Sequence, residues 1–214
     1  CTLAESEPYP LSATPFDHML NGIVVSPDGL WVYVNSGSRT DHGEEENNKG
    51  TFAGVREVPL TSKIFRIPSD AQDLVIVGSE ERLNSQGLLF AVGVRNTYDM
   101  AFAPNGDLFG IDNGPDADFP DELNWLREGH HYGFPWKFGD QDNPQQFPEY
   151  TSVGDKRLSP DFTAVQIGAY RRDPEFPPAP GNFTLPVANL GPAATQYRPC
   201  LLYTSPSPRD RSVS

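Results

Sequence analysis

A dense group of oxygen-bearing residues lies between positions 113 and 122 of the chain. The segment 113–115, Asn-Gly-Pro, offers backbone carbonyls, and it is followed closely by the carboxylates of Asp116, Asp118, Asp121 and Glu122. Oxygen donors at this density are the ligands that a hard cation such as calcium prefers. The segment therefore predicts a calcium site, with the cation Arg95 a short distance upstream.

Predicted β-hairpins must position this group. Residues 98–103 and 107–111 alternate between apolar and polar side chains, and the Pro-Asn-Gly sequence at 104–106 between them is typical of a turn. A second turn sequence, Pro-Asp-Gly at 27–29, also lies between alternating segments. The pattern predicts half-buried antiparallel strands on both sides of each turn.

The two turns form an internal repeat with a constant offset of 77 residues. A β-propeller blade has four strands and roughly 40 residues, so the offset predicts about two blades. Further short strands are predicted between the copies, at 63–67, 73–77 and 87–92. The chain should then hold roughly four blades or partial blades. An open propeller leaves unpaired edges, which predicts that this chain is a fragment of a longer protein.

Composition limits the possible functions. The 214 residues include 22 Pro and 19 Gly, which favour many turns and short strands over long helices. A formal net charge of -13 argues against a nucleic-acid partner, whose phosphates require a basic surface. No apolar run is long enough for a membrane-spanning helix. The acidic loop 41–49 is interpreted as a solvated surface loop.

Several motifs in a fixed order resemble one family. They are GVRN at 93–96, NGP at 113–115, DELN at 121–124 and HYGFP at 131–135. Upstream, His18 precedes a strand, a Pro-Asp-Gly turn and a second strand. In these features the chain resembles the glucose/sorbosone dehydrogenase family of soluble sugar dehydrogenases that depend on pyrroloquinoline quinone (PQQ). That resemblance implies an all-β fold: a truncated, partial six-bladed β-propeller with four-stranded antiparallel blades.

The resemblance covers residues 17–136 and suggests a division of the chain. Residues 1–200 are assigned to a partial glucose/sorbosone dehydrogenase-like β-propeller domain. Residues 201–214, rich in Ser, Pro and Arg, lose the strand pattern and are interpreted as a non-native or disordered tail.

Catalytic roles follow from the resemblance, residue by residue. His18 matches the family's general base, and the unperturbed pKa of histidine, about 6.5, suits proton abstraction near neutrality. Arg95 matches the arginine that stabilises negative charge developing on the quinone oxygen. Asp121 is expected to orient the arginine or the base. Ser38 stands where glucose-type members carry an aspartate beside the base, a pattern closer to the sorbosone-type branch.

Cofactor and metal ligands are implied in the same way. Arg95, Asn96 and Asn113 should bind or brace the quinone, while Gly114 and Pro115 should bind its calcium through their carbonyls. Glu122 and Tyr132 match ligands of a separate structural calcium.

The implied reaction is PQQ- and calcium-dependent oxidation of an aldose or sugar aldehyde, with hydride transfer to the quinone. Side chains offer no hydride acceptor, and no GxGxxG motif points to a nicotinamide site. An external electron acceptor would be the partner, and the protein would be periplasmic or secreted. Two alternatives stay open: a non-catalytic, calcium-stabilised propeller that binds a partner, and a calcium-dependent, lactonase-like hydrolase.

Overall fold

The computed structural model describes residues 2–115, 119–155, 158, 166, 168 and 171–189, so Asp116, Asp118 and the tail 201–214 lie outside it. Almost all of its regular structure is β-strand. The strands are β1 (Ala4–Ser6), β2 (Leu20–Val25), β3 (Trp31–Ser36), β4 (Lys63–Pro68), β5 (Leu74–Ile76), β6 (Leu89–Val92), β7 (Thr97–Phe102), β8 (Leu108–Asp112), β9 (Glu122–Leu126), β10 (His130–His131), β11 (Lys137–Phe138) and β12 (Gln141–Asp142). A short helix, α1 (Glu80–Ser85), and a 3-10 turn (Pro144–Gln146) are the helical elements.

Two sheets carry the site described below. In the first, β2, β3, β4 and β6 form an antiparallel unit, and β10 adds to β6 in parallel. In the second, β7, β8 and β9 are antiparallel, and Ala188 bridges Leu123 at the open edge of β9. The prediction of an all-β chain built from antiparallel blade-like sheets is confirmed. Strands β4, β5 and β6 also confirm the short strands predicted between the two turns.

The two repeated hairpins lie on neighbouring sheets. Strand β2, which opens the first hairpin, packs against β7, which opens the second. The 77-residue offset predicts that the two hairpins lie about two blades apart. In the structure they lie on adjacent sheets. The extra length is taken up by the loop 41–57, by β5 and by α1, which the blade-length estimate does not include.

The inner strands β3, β4 and β6 of the five-stranded sheet are buried on both faces, while the edge strand β2 is largely exposed. Side chains alternate along a strand, so Tyr33 and Ile64 enter a core shared with β7 and β8, while Val34 and Phe65 enter a second core on the opposite face. Leu83 of α1 belongs to this second core and is fully buried. Ser79 caps α1 by accepting a hydrogen bond from the Arg82 amide. The helix therefore covers the face of the sheet that the second hairpin leaves open.

The acidic loop 41–49 is only in part the solvated surface loop that its sequence predicts, since residues 44–49 are half-buried or exposed but residues 41–43 are buried. Asp41 and His42 are almost completely buried. Arg39, which precedes them, is fully buried and donates hydrogen bonds to the carbonyls of Pro10, Glu46, Val55 and Arg56. The sequence does not reveal this burial, because the backbone carbonyls that accept hydrogen bonds from Arg39 belong to segments distant from it in the sequence.

A long-range ion pair ties the loop 41–57 to the end of the described chain. Arg56 binds the Asp173 carboxylate with both terminal nitrogens, at 2.7 and 3.1 Å. Replacing Asp173 by asparagine should lower the free energy of unfolding by about 1.5–3 kcal/mol, the range for hydrogen bonds to charged groups. Urea denaturation of the variant would measure this, and an unchanged midpoint would show that solvent screens the pair completely.

Candidate active site

Gly37 is the point at which the predicted base and the predicted arginine converge. A Cβ at Gly37 would lie 2.4 Å from Cβ of His18 and 3.3 Å from the carbonyl oxygen of Arg95. Only glycine permits this approach, since a 2.4 Å contact between carbon atoms is not tolerated. The amide of Ser38 then donates to the Arg95 carbonyl at 2.7 Å. The hairpin β2–β3 and the segment before β7 are thus joined at the site.

The histidine is oriented by Ser38. Nδ1 of His18 lies 3.1 Å from the Ser38 carbonyl oxygen and 3.1 Å from Ser38 Oγ. Ser38 Oγ itself donates to the carbonyl of Thr40 at 2.7 Å. A carbonyl can only accept, so Nδ1 donates its proton, and Nε2 carries the lone pair when the ring is neutral. This is the tautomer that a general base requires.

Asn96 lies in a chain of amide side chains next to this pair. Its Oδ1 accepts from Asn21 at 2.8 Å, and Asn21 in turn accepts from Asn35 at 2.6 Å. Asn35 is fully buried on β3. Buried amides in a connected network fix one another's orientation, which is the geometry that a bracing role for Asn96 requires.

The guanidinium of Arg95 is buried and held from two sides, with 3% of the residue exposed. On one side it donates to the carbonyls of Asn113 and Gly114, each at 3.0 Å. On the other it donates to the carbonyl of Asp41 at 3.0 Å and to the Asp41 carboxylate. The cation is therefore clamped between the turn at 41 and the turn at 113–114.

Asp41 was not expected from the sequence to belong to the site. Its second carboxylate oxygen lies 3.0 Å from Nδ1 of His42. Burial opposes ionisation of Asp41, but the neighbouring His42 and Arg95 outweigh it and hold the pKa of the carboxyl well below its usual range. Asp41 is therefore an anion whose charge faces the guanidinium of Arg95.

The turn at 113–115 is shaped by close backbone contacts. A Cβ at Gly114 would lie 2.6 Å from the carbonyl oxygens of both Phe119 and Pro120, so the position requires glycine. The Gly114 amide donates to the Asp121 carboxylate at 3.0 Å. Pro115 is buried next to it. Asp121 thus orients the turn that carries the carbonyls bound to Arg95.

Two further carboxylates face each other across the second sheet. Asp112 at the end of β8 pairs with Glu122 at the start of β9, and both are buried. Asp112 accepts hydrogen bonds from the backbone amides of Arg95, at 2.9 Å, and of Asn96. Glu122 accepts from the Gly139 amide and from Asn124 Nδ2. Asp112 therefore links the backbone of Arg95 and Asn96 to its cross-strand neighbour Glu122.

Burial raises the pKa values of both acids, and a neighbouring carboxylate adds to the effect in each case, Asp121 for Asp112 and Asp112 for Glu122. Burial and the Asp112 charge raise the pKa of Glu122 to about 8. Burial raises the pKa of Asp112 to about 6, although the amides of Arg95 and Asn96 oppose the change. A buried pair of this kind needs a proton or a cation to offset its charge.

A small cavity adjoins the pair, with room for roughly one water molecule or one ion. Its lining includes the acids Asp112 and Glu122, the cations Arg95 and Lys137, and Tyr132. The Tyr132 hydroxyl donates to Trp125 and accepts from Arg127, so a ligand role for Tyr132 falls to its carbonyl.

Side chains alone do not complete a metal site in the described part of the chain. There, no three His, Cys, Asp or Glu side chains gather closely enough to hold a metal ion. Any cation at Asp112 and Glu122 would therefore need carbonyl oxygens as well.

The predicted residues thus form two adjoining groups. His18, Arg95, Asn96, Asn113 and Gly114 make the first, and Glu122 and Tyr132 belong to the second. Sequence reasoning missed Asp41 and Asp112. Asp112 ends an alternating strand immediately before Asn113, which is a usable signal, whereas Asp41 lies 54 residues from its arginine and has none.

Comparison with known proteins identifies the family. Residues 10–163 match the sequence model described as Glucose / Sorbosone dehydrogenase. This match covers well over half of the chain, which therefore belongs to the glucose/sorbosone dehydrogenase family.

Relatives in this family have known names and structures. Quinoprotein glucose dehydrogenase B of Acinetobacter calcoaceticus is 25% identical, over 66% of this chain and 31% of the relative. The PQQ-bound aldose sugar dehydrogenase of Streptomyces coelicolor is 27% identical, with a TM-score of 0.39, over 58% of this chain and 33% of that one. The soluble aldose sugar dehydrogenase of Escherichia coli, in its apo-form, is 20% identical, with a TM-score of 0.35, over 54% and 30%. The chain spans about a third of the length of these relatives.

None of the helices in the described residues has the length and apolar character needed to cross a membrane.

Proposed function

We propose that the protein oxidises an aldose or sugar aldehyde with PQQ as the hydride acceptor and calcium as its metal. The observation that carries the proposal is the junction at Gly37, where a histidine whose Nδ1 donates to Ser38 packs beside the backbone carbonyl of a buried arginine. The relative named as a quinoprotein glucose dehydrogenase supports it. The family of the chain is shown by the sequence match, and the reaction with its cofactors is what we propose.

The residues present fit both groups. For the quinone, the close packing at Gly37 joins the histidine to the backbone of Arg95, whose guanidinium binds the carbonyls of Asn113 and Gly114. For calcium, Asp112 and Glu122 offer buried carboxylate oxygens at the small cavity. Arg95 and Lys137 also line it, yet the pKa values of both acids are raised, so their charge is only partly offset. Gly114 and Pro115 would supply carbonyls to a cofactor-bound calcium, while Glu122 and Tyr132 would hold a second ion.

Each residue has a definite task in this reaction. PQQ, when bound, supplies the two-electron acceptor that side chains lack. His18 takes the proton of the sugar hydroxyl through Nε2, because Ser38 holds the proton on Nδ1. Arg95 presents a fixed positive charge, and Asn113, Gly114 and Asp121 hold the turn beside it. These preset donors reduce the reorganisation that the reaction would otherwise require.

Ser38 gives the base a neutral partner. It orients the imidazole but adds no charge to stabilise the imidazolium formed on proton abstraction. Replacing Ser38 by aspartate should raise the pKa of His18, so the acidic limb of the pH profile of kcat/KM should move to higher pH. Threonine at the same position keeps the hydroxyl and serves as the control. An aspartate variant with an unchanged profile would show that His18 is not the titrating base.

The decisive experiment measures PQQ binding to the purified protein by absorbance and calorimetry, with and without calcium. We expect saturable, calcium-dependent binding and reduction of an artificial electron acceptor in the presence of aldoses. No binding and no turnover across a panel of sugars would contradict the proposal and favour a non-catalytic binding module. Hydrolysis of a lactone without quinone would instead favour a lactonase-like enzyme.

The expected partners follow from this chemistry. The reduced cofactor must pass its electrons to an external acceptor, so we include one in the proposal together with the sugar substrate. A periplasmic or secreted location is proposed as well, since the acidic chain and its oxygen-rich site suit a calcium-containing compartment. Fractionation of the native host, with activity assayed in each fraction, would test the location.

A further inference from the structure

We propose that Asp41 is a positioning residue that sets both the orientation and the effective charge of Arg95, and thereby the reduction potential of the bound quinone. This inference rests on the proposed function and concerns a residue outside the sequence motifs. It starts from the clamp around the guanidinium described above. The turn at 113–114 provides one side of that clamp, and Asp41 provides the other.

The contact is built to be rigid. Asp41 binds Arg95 twice, through its carbonyl and through its carboxylate. Nδ1 of His42 lies 3.0 Å from the other carboxylate oxygen, so a neighbouring side chain is close to each oxygen of the carboxylate. The backbone amides of Asp41 and His42 both donate to Glu44, at 2.8 and 2.6 Å. The carboxylate therefore has little freedom to leave the guanidinium.

The wall behind His42 holds the turn in place. Its ring packs edge-on against Phe138, with centroids 5.5 Å apart, and its carbonyl accepts from Asn143 at 2.8 Å. Asn143 is fully buried and also donates to Pro135. The turn that carries Asp41 is thus anchored to a part of the chain that follows the second sheet.

Charge is the second part of the argument. Asp41 and Arg95 are each 3% exposed, so water screens their interaction poorly. An anion this close offsets much of the positive charge that Arg95 can present to a neighbouring electron acceptor. PQQ takes up two electrons and two protons on full reduction, and it is reduced more easily beside greater positive charge. Asp41 should therefore keep the potential low enough for the reduced cofactor to pass its electrons on.

The main test compares Asp41→Asn with wild type in the quinone-loaded protein. Spectroelectrochemical titration should show a higher quinone potential in the variant. Stopped-flow mixing with an artificial acceptor should show reoxidation slowed by roughly tenfold, within the range of coupling between contacting residues. The matched control is Asp173→Asn, which breaks the arginine–carboxylate pair with Arg56 elsewhere in the chain. It should lower the thermal midpoint without moving the potential.

A double-mutant comparison shows whether Asp41 acts through Arg95. In wild type, Asp41→Asn removes both the charge of Asp41 and its hold on Arg95, whereas in Arg95→Gln it removes the charge alone. The shift in quinone potential should therefore be larger in the wild-type background. Equal shifts in the two backgrounds would mean that Asp41 acts on the quinone only directly, which overturns the inference. If Asp41→Asn alone does not fold, Asp41→Glu keeps the charge but moves the carboxylate, and a potential equal to that of wild type would overturn the inference.

The outcomes separate this inference from the proposed function. A wild-type protein that binds no quinone overturns both. A wild-type protein that binds quinone and turns over sugar, with an Asp41→Asn potential equal to that of Asp173→Asn, overturns only the role of Asp41.

Discussion

Replacing His18 by alanine is expected to lower kcat by about 10²–10⁴-fold, the usual contribution of a general base, while quinone binding persists. The reason is local: Nε2 is the only imidazole nitrogen left with a lone pair once Ser38 holds Nδ1–H. Steady-state turnover and a quinone titration on the same preparation would measure both quantities. Added imidazole should restore part of the rate, because it can enter the space left by the side chain.

His130→Ala is the matched control for this variant. His130 lies on β10 and its ring contacts the Thr184 hydroxyl at 2.7 Å, so its loss should leave turnover unchanged. Equal rates for wild type and His18→Ala would remove the general-base role. Loss of quinone binding together with turnover would instead assign His18 to the binding site.

Replacing Glu122 by glutamine is expected to change how stability depends on pH and calcium. The folded-state pKa of Glu122, about 8, lies above the ordinary value of 4.5. Without a cation, the protonated carboxyl favours folding fully below about pH 4.5, and that advantage is lost as pH rises through 8. A tenfold difference in the acid dissociation constant between the folded and unfolded states corresponds to roughly 1.4 kcal/mol. The contribution of Glu122 to the pH dependence of the free energy of unfolding should therefore amount to several kcal/mol.

Thermal unfolding between about pH 4.5 and 8.5, with calcium and with a chelator, measures this effect. Wild type in chelator should lose stability towards pH 8 and regain it with calcium, whereas the glutamine variant should show a flatter profile and little response to calcium. Glu128→Gln, which removes an exposed carboxylate paired with Arg66, is the control and should keep the wild-type pattern. If wild type shows no slope, Glu122 is already neutralised by other contacts.

The sequence predicts the hairpins well and β9 poorly, for a physical reason. Around β2–β3 and β7–β8, apolar alternation and turn residues point to the same structure. Strand β9 has the reverse pattern, since Glu122 and Asn124 are buried while Trp125 is partly exposed, its ring beneath the Arg127 guanidinium at 4.5 Å. Where a functional site buries polar side chains, the strand no longer shows the usual alternation in which apolar residues are the buried ones, so it is hard to recognise in the sequence.

The residues of the site are likewise predicted only in part from the sequence. The resemblance to a known family places His18, Arg95 and the 113–115 turn in one site, because the motifs that carry the resemblance include these residues. An ion pair between residues far apart in the chain has no characteristic spacing in the sequence. Asp41 reaches Arg95 only after two sheets have packed together, and its own neighbours in sequence, a run of glutamates, predict solvent exposure instead.

The anchoring of Arg39 has a consequence for proteolysis. One side chain holds carbonyls from residues 10, 46, 55 and 56, and the same stretch of chain carries Asp41. A protease can cut the acidic segment after His42 only when the backbone there opens, and opening releases Arg39. Cleavage resistance and the integrity of the arginine site should therefore be lost together, in a single cooperative step. Nicking at residues 44–50 would then report on the site itself.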